Sequence, residues 1–304
     1  SRSDEIWEKE ITLNTNYSPD NLVRIDNGNE DLKPITICRY SKAKTKMLKI
    51  LSNKTWALVI YDDAHRFPAN KIKKTNEIKA RYKLGMAATL ARYDDKGPII
   101  FKSIGPKVYQ IPWEYLEAQG YQKKIKLIKV SLPEDDDSKY GFKSKIKAVR
   151  DLMKKFENKK IVIVSYLVGD MAVKVGRSLN IDVLSGDIKN SQFIKNKVND
   201  FNQGIIKHII CSNIIENLPF KNIDIMIALS YHKGSEREET FRIGILKGFD
   251  ESRQKNKEVG LLYSLVSNYE ENYFYDRENK IRKYGLKYRC INFNDIKKED
   301  YDES

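Results

Sequence analysis

Apolar residues recur along this chain in two rhythms. Short runs rich in β-branched and aromatic residues lie between polar loops at "ITICRY" (35–40), "WALVIY" (56–61) and "YKLGMAAT" (82–89). They predict strands of a parallel sheet buried on both faces. "KKIKLIKVSL" (123–132) alternates only imperfectly through Ile125, Leu127, Ile128, Val130 and Leu132, which predicts an exposed or edge strand. The acidic "PEDDDSKYG" that follows is the clearest linker in the chain.

Beyond it the pattern is more regular. In "FKSKIKAVRDLMKKFE" (142–157), Ile146, Val149, Met153 and Phe156 share one helical face while lysines cover the other. Strands are expected at 160–166, 182–185, 207–212, 223–230 and 259–267. Helices are expected at 170–179, at 191–201 (with Phe193, Val198 and Phe201 on one side) and at 236–247. A last helix starts where Asn268 can accept first-turn amides and Glu271 can reach back, a variant of the capping box. Strand and helix alternating in this way imply a doubly wound parallel sheet. The expected architecture is α/β in two lobes, 1–132 and 142–304, joined by a linker at 133–141.

Composition adds two constraints. The 304 residues are 40% hydrophobic and 32% charged, enough for one large or two ordinary cores. Lys plus Arg exceed Asp plus Glu by 56 to 42, a net charge of +14, so a polyanion is a natural partner, although solvated lysine faces give the same count. No run approaches the roughly 18–20 apolar residues of a membrane span, and the first residues lack a signal pattern, so an intracellular setting is expected. Cys38, Cys211 and Cys290 are scattered and odd in number, which argues against a disulfide framework and a zinc cluster.

The chemistry centres on "WALVIYDDAHRFPAN" (56–70), where an apolar strand ends in adjacent carboxylates with a histidine two residues on. In nucleotide hydrolases such a strand end lets one acid hold Mg²⁺ through water while its neighbour orients the attacking water. Asp62 would be the metal acid, Asp63 the water-positioning acid and His65 the residue coupling them to the next segment. The competing reading is that Asp62 or Asp63 caps the following helix.

Three further stretches bear on that choice: "KLGMAATLARYDDKG", "IGPKVYQIPWEYLEAQGYQKKIKLIKV" and "LLYSLVSNYEENYFYDRENKIRKYGLKYRCIN". In order and spacing they resemble the xeroderma pigmentosum group B (XPB) branch of the superfamily 2 DNA helicases, over about residues 7–292. The resemblance implies two RecA-like lobes with parallel sheets, ATP and Mg²⁺ in the cleft between them, and DNA across both. It sets "YDDAH" at the DExH box and "AAT" (87–89, ending in Thr89) at the motif linking hydrolysis to DNA. Arg92, Tyr93 and Asp94 fall at an element that engages distorted DNA. "SEREETFRIGILKG" (235–248), with Arg242 and Gly244, falls where the second lobe addresses the nucleotide. The family's partners are DNA and nuclease, transcription or repair subunits.

The chain departs from this pattern at chemical positions. It contains no G-x-x-x-x-G-K-[ST] loop to cradle phosphates. In the family that loop lies ahead of this stretch, so truncation and loss both remain open. Asp63 stands in place of glutamate, one methylene shorter, and Ala87 in place of a hydroxyl residue. Phe241 replaces glutamine, and Ile245 and Gly248 replace arginines that stabilise a transferring phosphoryl group. The loop at 212–222 lacks the family's Gly-Asp-Thr/Ser contacts.

Elsewhere, His208 in an apolar strand reads as a core residue and His232 as a solvated loop residue with a possible phosphate contact. Tyr273 and Phe274 read as packing residues, and the lysine runs at 71–83 and 123–129 as solvated faces able to track phosphates. The leading expectation is a DNA-binding helicase core with weak or absent ATP hydrolysis. The alternatives are a noncatalytic docking scaffold in a repair or transcription complex, and the distal part of an active helicase.

Overall fold

The computed structural model describes residues 2–28, 30–88, 90, 96–134, 138–232, 235–248 and 259–297, the side chains of 2, 3 and 217 excepted. The chain divides into two compact units, residues 1–110 and 111–304.

The first unit contains α1 (Arg2–Asn14), β1 (Leu22–Ile25), β2 (Ile35–Cys38), α2 (Thr45–Ser52), β3 (Trp56–Tyr61), α3 (Asn70–Lys73), β4 (Ala80–Gly85) and α4 (Gly97–Ser103). Two parallel pairs form, β1 with β2 and β3 with β4, the latter in register from Trp56↔Ala80 to Tyr61↔Gly85. α2 buries Met47, Leu48 and Leu51 against Ile25 and Ile78, with Trp56 and Val59 alongside. A second cluster gathers Tyr61, Ala64, Phe67, Ile72 and Ile100, with Tyr61 and Phe67 meeting edge to face at 5.1 Å.

The β3–β4 pair departs from the expectation of burial on both faces. Leu58 (45% exposed) lies opposite Tyr82 (60%), and Ile60 (44%) opposite Leu84 (39%). In-register residues of a parallel pair point the same way, so the four make one open apolar face.

The second unit is built on a seven-stranded parallel sheet in the order β11-β5-β10-β9-β6-β8-β7. Its elements are α5 (Trp113–Ala118), β5 (Ile125–Ser131), α6 (Phe142–Lys155), β6 (Ile161–Val164), α7 (Lys174–Leu179), β7 (Val183–Leu184), α8 (Ser191–Gln203), β8 (His208–Cys211), β9 (Ile225–Ala228), α9 (Glu236–Lys247), β10 (Gly260–Val266), α10 (Glu271–Ile281) and β11 (Tyr288–Asn292). A π-helical turn, Val168–Val173, leads into α7. The sheet separates two clusters. One includes Val149, Leu152, Ile163, Ile227 and Leu265, the other Val162, Phe201, Met226, Ile243 and Phe274.

Three expectations are corrected here. β5 is an interior strand of the second unit, flanked by β10 and β11, rather than an edge strand ending the first lobe. Its alternation is blurred because lysines interrupt it; Lys129 reaches out to Glu271 at 2.6 Å while its stem runs along the sheet. The 133–141 segment therefore connects β5 to α6 inside the second unit, and the division falls near residue 110. The cap ahead of α10 lies one residue earlier than expected. Glu270 Oε2 accepts the Ser267 amide (3.1 Å) and the Ser267 side chain accepts the Glu270 amide, forming the capping box.

The lysine face of α6 is also not wholly solvated. Lys145 is fully buried, and its Nζ donates to the Leu229 carbonyl (2.5 Å) and to Glu270 Oε2 (2.6 Å). The sequence carried that signal, because Lys145 stands three and four residues before Ala148 and Val149 and seven before Leu152, on the apolar stripe. Burial lowers the Lys145 pKa, and the Glu270 charge opposes the shift. Removing one member of such a pair strands the other charge, at roughly 3–5 kcal/mol. Lys145→Ala is expected to cost about that in urea unfolding of the second unit. The double variant Lys145→Met with Glu270→Gln, which keeps an oxygen to accept from Ser267, is expected to recover most of it, and a double variant no more stable than the single would refute this account of the pair.

Candidate nucleotide and nucleic-acid site

β3 ends because its neighbour turns under it. The Met86 amide donates to the Tyr61 carbonyl (2.9 Å), and after a sharp bend the Ala64 amide donates to the Met86 carbonyl (2.8 Å). The bend is made by Asp63, held in the left-handed region (φ 51°, ψ 45°) that aspartate tolerates better than most residues. A Cβ added to Gly85 would lie 3.1 Å from the Ala64 Cβ, so the close approach depends on small residues on both sides. Main-chain bonds thus stitch the Asp-Asp turn to the segment that opens at Met86 and continues to Ala87.

The two carboxylates differ in their surroundings. Asp62 Oδ1 accepts the Asp63 amide (2.9 Å) and Oδ2 accepts the indole N–H of Trp7 from α1 (3.0 Å), while the Asp62 carbonyl accepts the Tyr40 hydroxyl (2.5 Å). Burial, and next the Asp62 charge, push the Tyr40 pKa well above its ordinary value, so this hydroxyl stays a donor. Asp63 projects to solvent, 3.9 Å from both His65 Nδ1 and Arg66 Nη1. It occupies the N-cap position of the Ala64–Arg66 turn, yet its side chain makes no cap bond. Capping therefore does not consume this carboxylate. His65 is buried beneath the turn.

A carboxylate offers about four lone-pair positions, so Asp62 retains capacity beside its two bonds. That fits an outer-sphere hold on Mg²⁺, an ion that keeps several waters and takes most remaining ligands from phosphates. Among the described residues no group of three or more His, Cys, Asp or Glu side chains could enclose an ion. Thr89, Arg92 and Asp94 lie outside the described residues.

In the second unit the candidate nucleotide residues sit on α9. Ser235 caps it by accepting the Glu238 amide (3.0 Å). Arg242 is only 3% exposed; its Nη2 donates to the Ser230 carbonyl (3.1 Å) and to Glu238 Oε1. Burial works against the Arg242 charge, but Glu238 and Glu239 outweigh it and raise the pKa. The residue expected to address a nucleotide is thus turned into the fold, where it braces the start of α9. At Gly244 a Cβ would meet nothing within 4 Å. Ile245 packs against the second cluster, which an arginine there would not do without exposing its charge.

Two buried cations escaped the sequence reading. Arg277 is 1% exposed, with its guanidinium stacked 3.2 Å from the Tyr231 ring centroid and 3.8 Å from Glu239. It falls three residues after Phe274 and four before Ile281, on the buried stripe of α10. Lys247 is fully buried at the end of α9, against Glu117 and 5.3 Å from the Trp113 ring. His208, at the start of β8, is half-buried rather than a core residue, and its pKa is lowered by burial and then by Lys207.

Comparison with known proteins points one way. Residues 4–92 match the family model described as Type III restriction enzyme, res subunit. A relative from Kineococcus radiotolerans named DNA 3'-5' helicase XPB is 26% identical over 95% of this chain and 55% of its own length. The chain resembles the XPB helicases. A Mycobacterium tuberculosis protein of the same name is 25% identical over 78% of the chain and 47% of its own length. The XPB subunit of general transcription and DNA repair factor IIH from Encephalitozoon cuniculi is 24% identical over 91% and 46%. This XPB-like chain spans about half the length of these curated relatives. Solved structures share its fold: Saccharomyces cerevisiae Dbp5 bound to RNA and ADP BeF3 (TM-score 0.58, 12% identity, 91% of this chain and 71% of that one) and the Pyrococcus furiosus Hef helicase domain (0.54, 11%, 88% and 85%). The fold is therefore α/β and RecA-like, and no helix among the described residues is long and apolar enough to cross a membrane.

Lys247 gives the XPB-like chain a measurable pH signature. Burial pulls its pKa from 10.5 down to about 8, against the pull of Glu114. Between those values the unfolded chain binds more protons than the folded one, so this group makes stability rise with pH across that window. Urea midpoints at pH 7.5 and 9.5 should rise more steeply for the native chain than for Lys247→Met; equal slopes would remove Lys247 as the source.

Proposed function

We propose that this chain acts as an XPB-like, DNA-binding helicase core whose ATP hydrolysis is weak or absent as it stands. The observation that supports the proposal is the main-chain stitch from Tyr61 through Ala64 to Met86, which holds the Asp62–Asp63 turn in place, read beside the departures from the resembled motifs. Asp62 would hold Mg²⁺ through water, and the bound ion would neutralise phosphate charge on the nucleotide. Asp63 would orient the attacking water, though with one methylene less reach than glutamate, and small misplacements are costly in rate. His65 would couple the turn to its neighbours. Thr89, Arg92 and Asp94 would couple the site to DNA, and Gly244 would keep the face of α9 open. Arg242, engaged with Ser230 and Glu238, would act from inside the fold by holding α9 in place. With Ile245 and Gly248 in arginine positions, charge on a transferring phosphoryl group would go unmet there, a loss worth several orders of magnitude in other phosphoryl-transfer enzymes. The net charge of +14 supports the nucleic-acid half of the proposal.

A second reading is favoured by the open face of Leu58, Ile60, Tyr82 and Leu84. Parallel strands are ordinarily covered on both sides. A further segment or a protein partner that covered this face could also supply the phosphate-binding amides, making the chain the distal part of an active helicase or a docking module in a repair or transcription assembly.

The deciding measurement is ATP hydrolysis with and without single-stranded and forked DNA, with Asp62→Ala as control. Turnover is expected to stay at the buffer background, while DNA binding survives Asp62→Ala and weakens steeply with salt. DNA-stimulated turnover abolished by Asp62→Ala would overturn the weak-hydrolysis proposal and favour a complete phosphate site.

A further inference from the structure

β6 and β9 are hydrogen-bonded parallel neighbours, Ile161↔Ile225 through Val164↔Ala228, so the loops that follow them leave the sheet at the same carboxyl edge. In each loop a serine turns inward and a ring turns outward. Ser165 and Ser230 are buried, with their hydroxyls 2.8 Å apart; Ser165 Oγ donates to the Leu167 carbonyl (2.8 Å) and Ser230 Oγ accepts the Leu167 amide (2.9 Å). Beyond these hydroxyls stand Tyr166 (37% exposed) and His232 (exposed), ring centroids 4.6 Å apart and tilted by 38°. The His232 amide donates to Glu238 Oε2 (3.1 Å), which ties this loop to α9.

Neither ring belongs to either hydrophobic cluster of the sheet, although the adjacent Leu167 and Tyr231 each pack on one. Two stacked rings outside both core clusters, on loops pinned by buried hydroxyls at the end of a parallel sheet where ligands bind in this class of fold, form a built platform. Every base has a π-face, and an aromatic surface on a basic protein takes an unpaired base from a single strand without sequence preference.

We propose that Tyr166 and His232 form a stacking platform for an unpaired nucleobase of a bound single strand. This rests on the nucleic-acid half of the function proposed above, and it adds the part of the strand that is recognised and the residues that do so.

The test uses the full chain with fluorescently labelled oligothymidine, oligouridine and an abasic strand of equal length, read by anisotropy across a salt series. Tyr166→Ala is expected to weaken oligothymidine binding roughly 5- to 150-fold, the range of one stacked base. Tyr166→Phe should retain affinity, because the ring does the work, and His232→Ala should fall between them. The slope of log affinity against log salt should be unchanged, since no phosphate contact is removed. The abasic strand should bind the native chain and Tyr166→Ala alike, and a strand carrying 5-iodouracil should photocrosslink to Tyr166 or His232. Comparable losses on oligothymidine and oligouridine would show stacking on the pyrimidine face that DNA and RNA have in common; a loss confined to one would name that strand as its ligand. No binding of any strand by the native chain would overturn both proposals. Strong binding that Tyr166→Ala leaves intact, with crosslinks elsewhere, would overturn the platform alone.

Discussion

A parallel sheet must be covered on both faces, because its crossovers leave and re-enter at opposite ends and every strand runs through the interior. In the second unit this constraint is met through the middle of the sheet. β6, β9 and β10 are buried at every position, with α6 and α7 on the side of one cluster and α8, α9 and α10 on the side of the other. The polar work is thereby driven to the carboxyl edge of the strands, where Ser165, Ser212, Ser230 and Ser267 are each buried immediately or shortly after a strand. Lys145 belongs to the same logic: its charge is carried inside α6 only because Glu270 and the Leu229 carbonyl are waiting at that edge. The first unit meets the constraint by half, with β3 and β4 covered on the Val59 side and open on the Leu58 side.

This difference explains which parts were legible. Strands such as "KIVIVSY" and "IDIMIALS" are apolar at every position and could hardly be anything but interior strands, and the α/β order followed from them. β5 was misassigned because its lysines mimic a solvent face, and the lobe boundary moved with it. β1 and β11 are too short to carry a period and α1 is polar along most of its length, whereas α2 went unread although Met47, Leu48 and Leu51 share one face. Buried cations were the systematic blind spot. Lys145 was read by residue type as surface and Arg277 and Lys247 drew no reading, although Lys145 and Arg277 sit at buried helical spacings. Only a partner distant in sequence, Glu270 at 125 residues from Lys145 for example, reveals that burial is tolerated.

The candidate site was legible in position and opaque in wiring. That Asp62 and Asp63 end a strand follows from the apolar run before them. That Trp7 and Tyr40 hold Asp62, and that the turn is stitched to Met86, depends on contacts between residues 22 to 55 positions apart, which no local pattern encodes. Arg242 illustrates the converse. Its place in a motif suggested a charge presented to a nucleotide, yet one turn upstream Glu238 offers a partner at the i,i+4 spacing that favours a helix-internal pair.

The form of the wiring also bears on how such a site could lose chemistry without losing shape. The bonds from Tyr61 to Met86 and from Met86 to Ala64 are main chain to main chain, so they are indifferent to the side chains at Asp63 and Ala87. What they require is small residues at Ala64 and Gly85, which are present. A carboxylate shortened by one methylene or a hydroxyl replaced by methyl therefore costs the fold nothing, whereas each would tell on the placement of a water within tenths of an ångström. In α9, Ile245 adds apolar surface to the second cluster, where a charged side chain would need a partner.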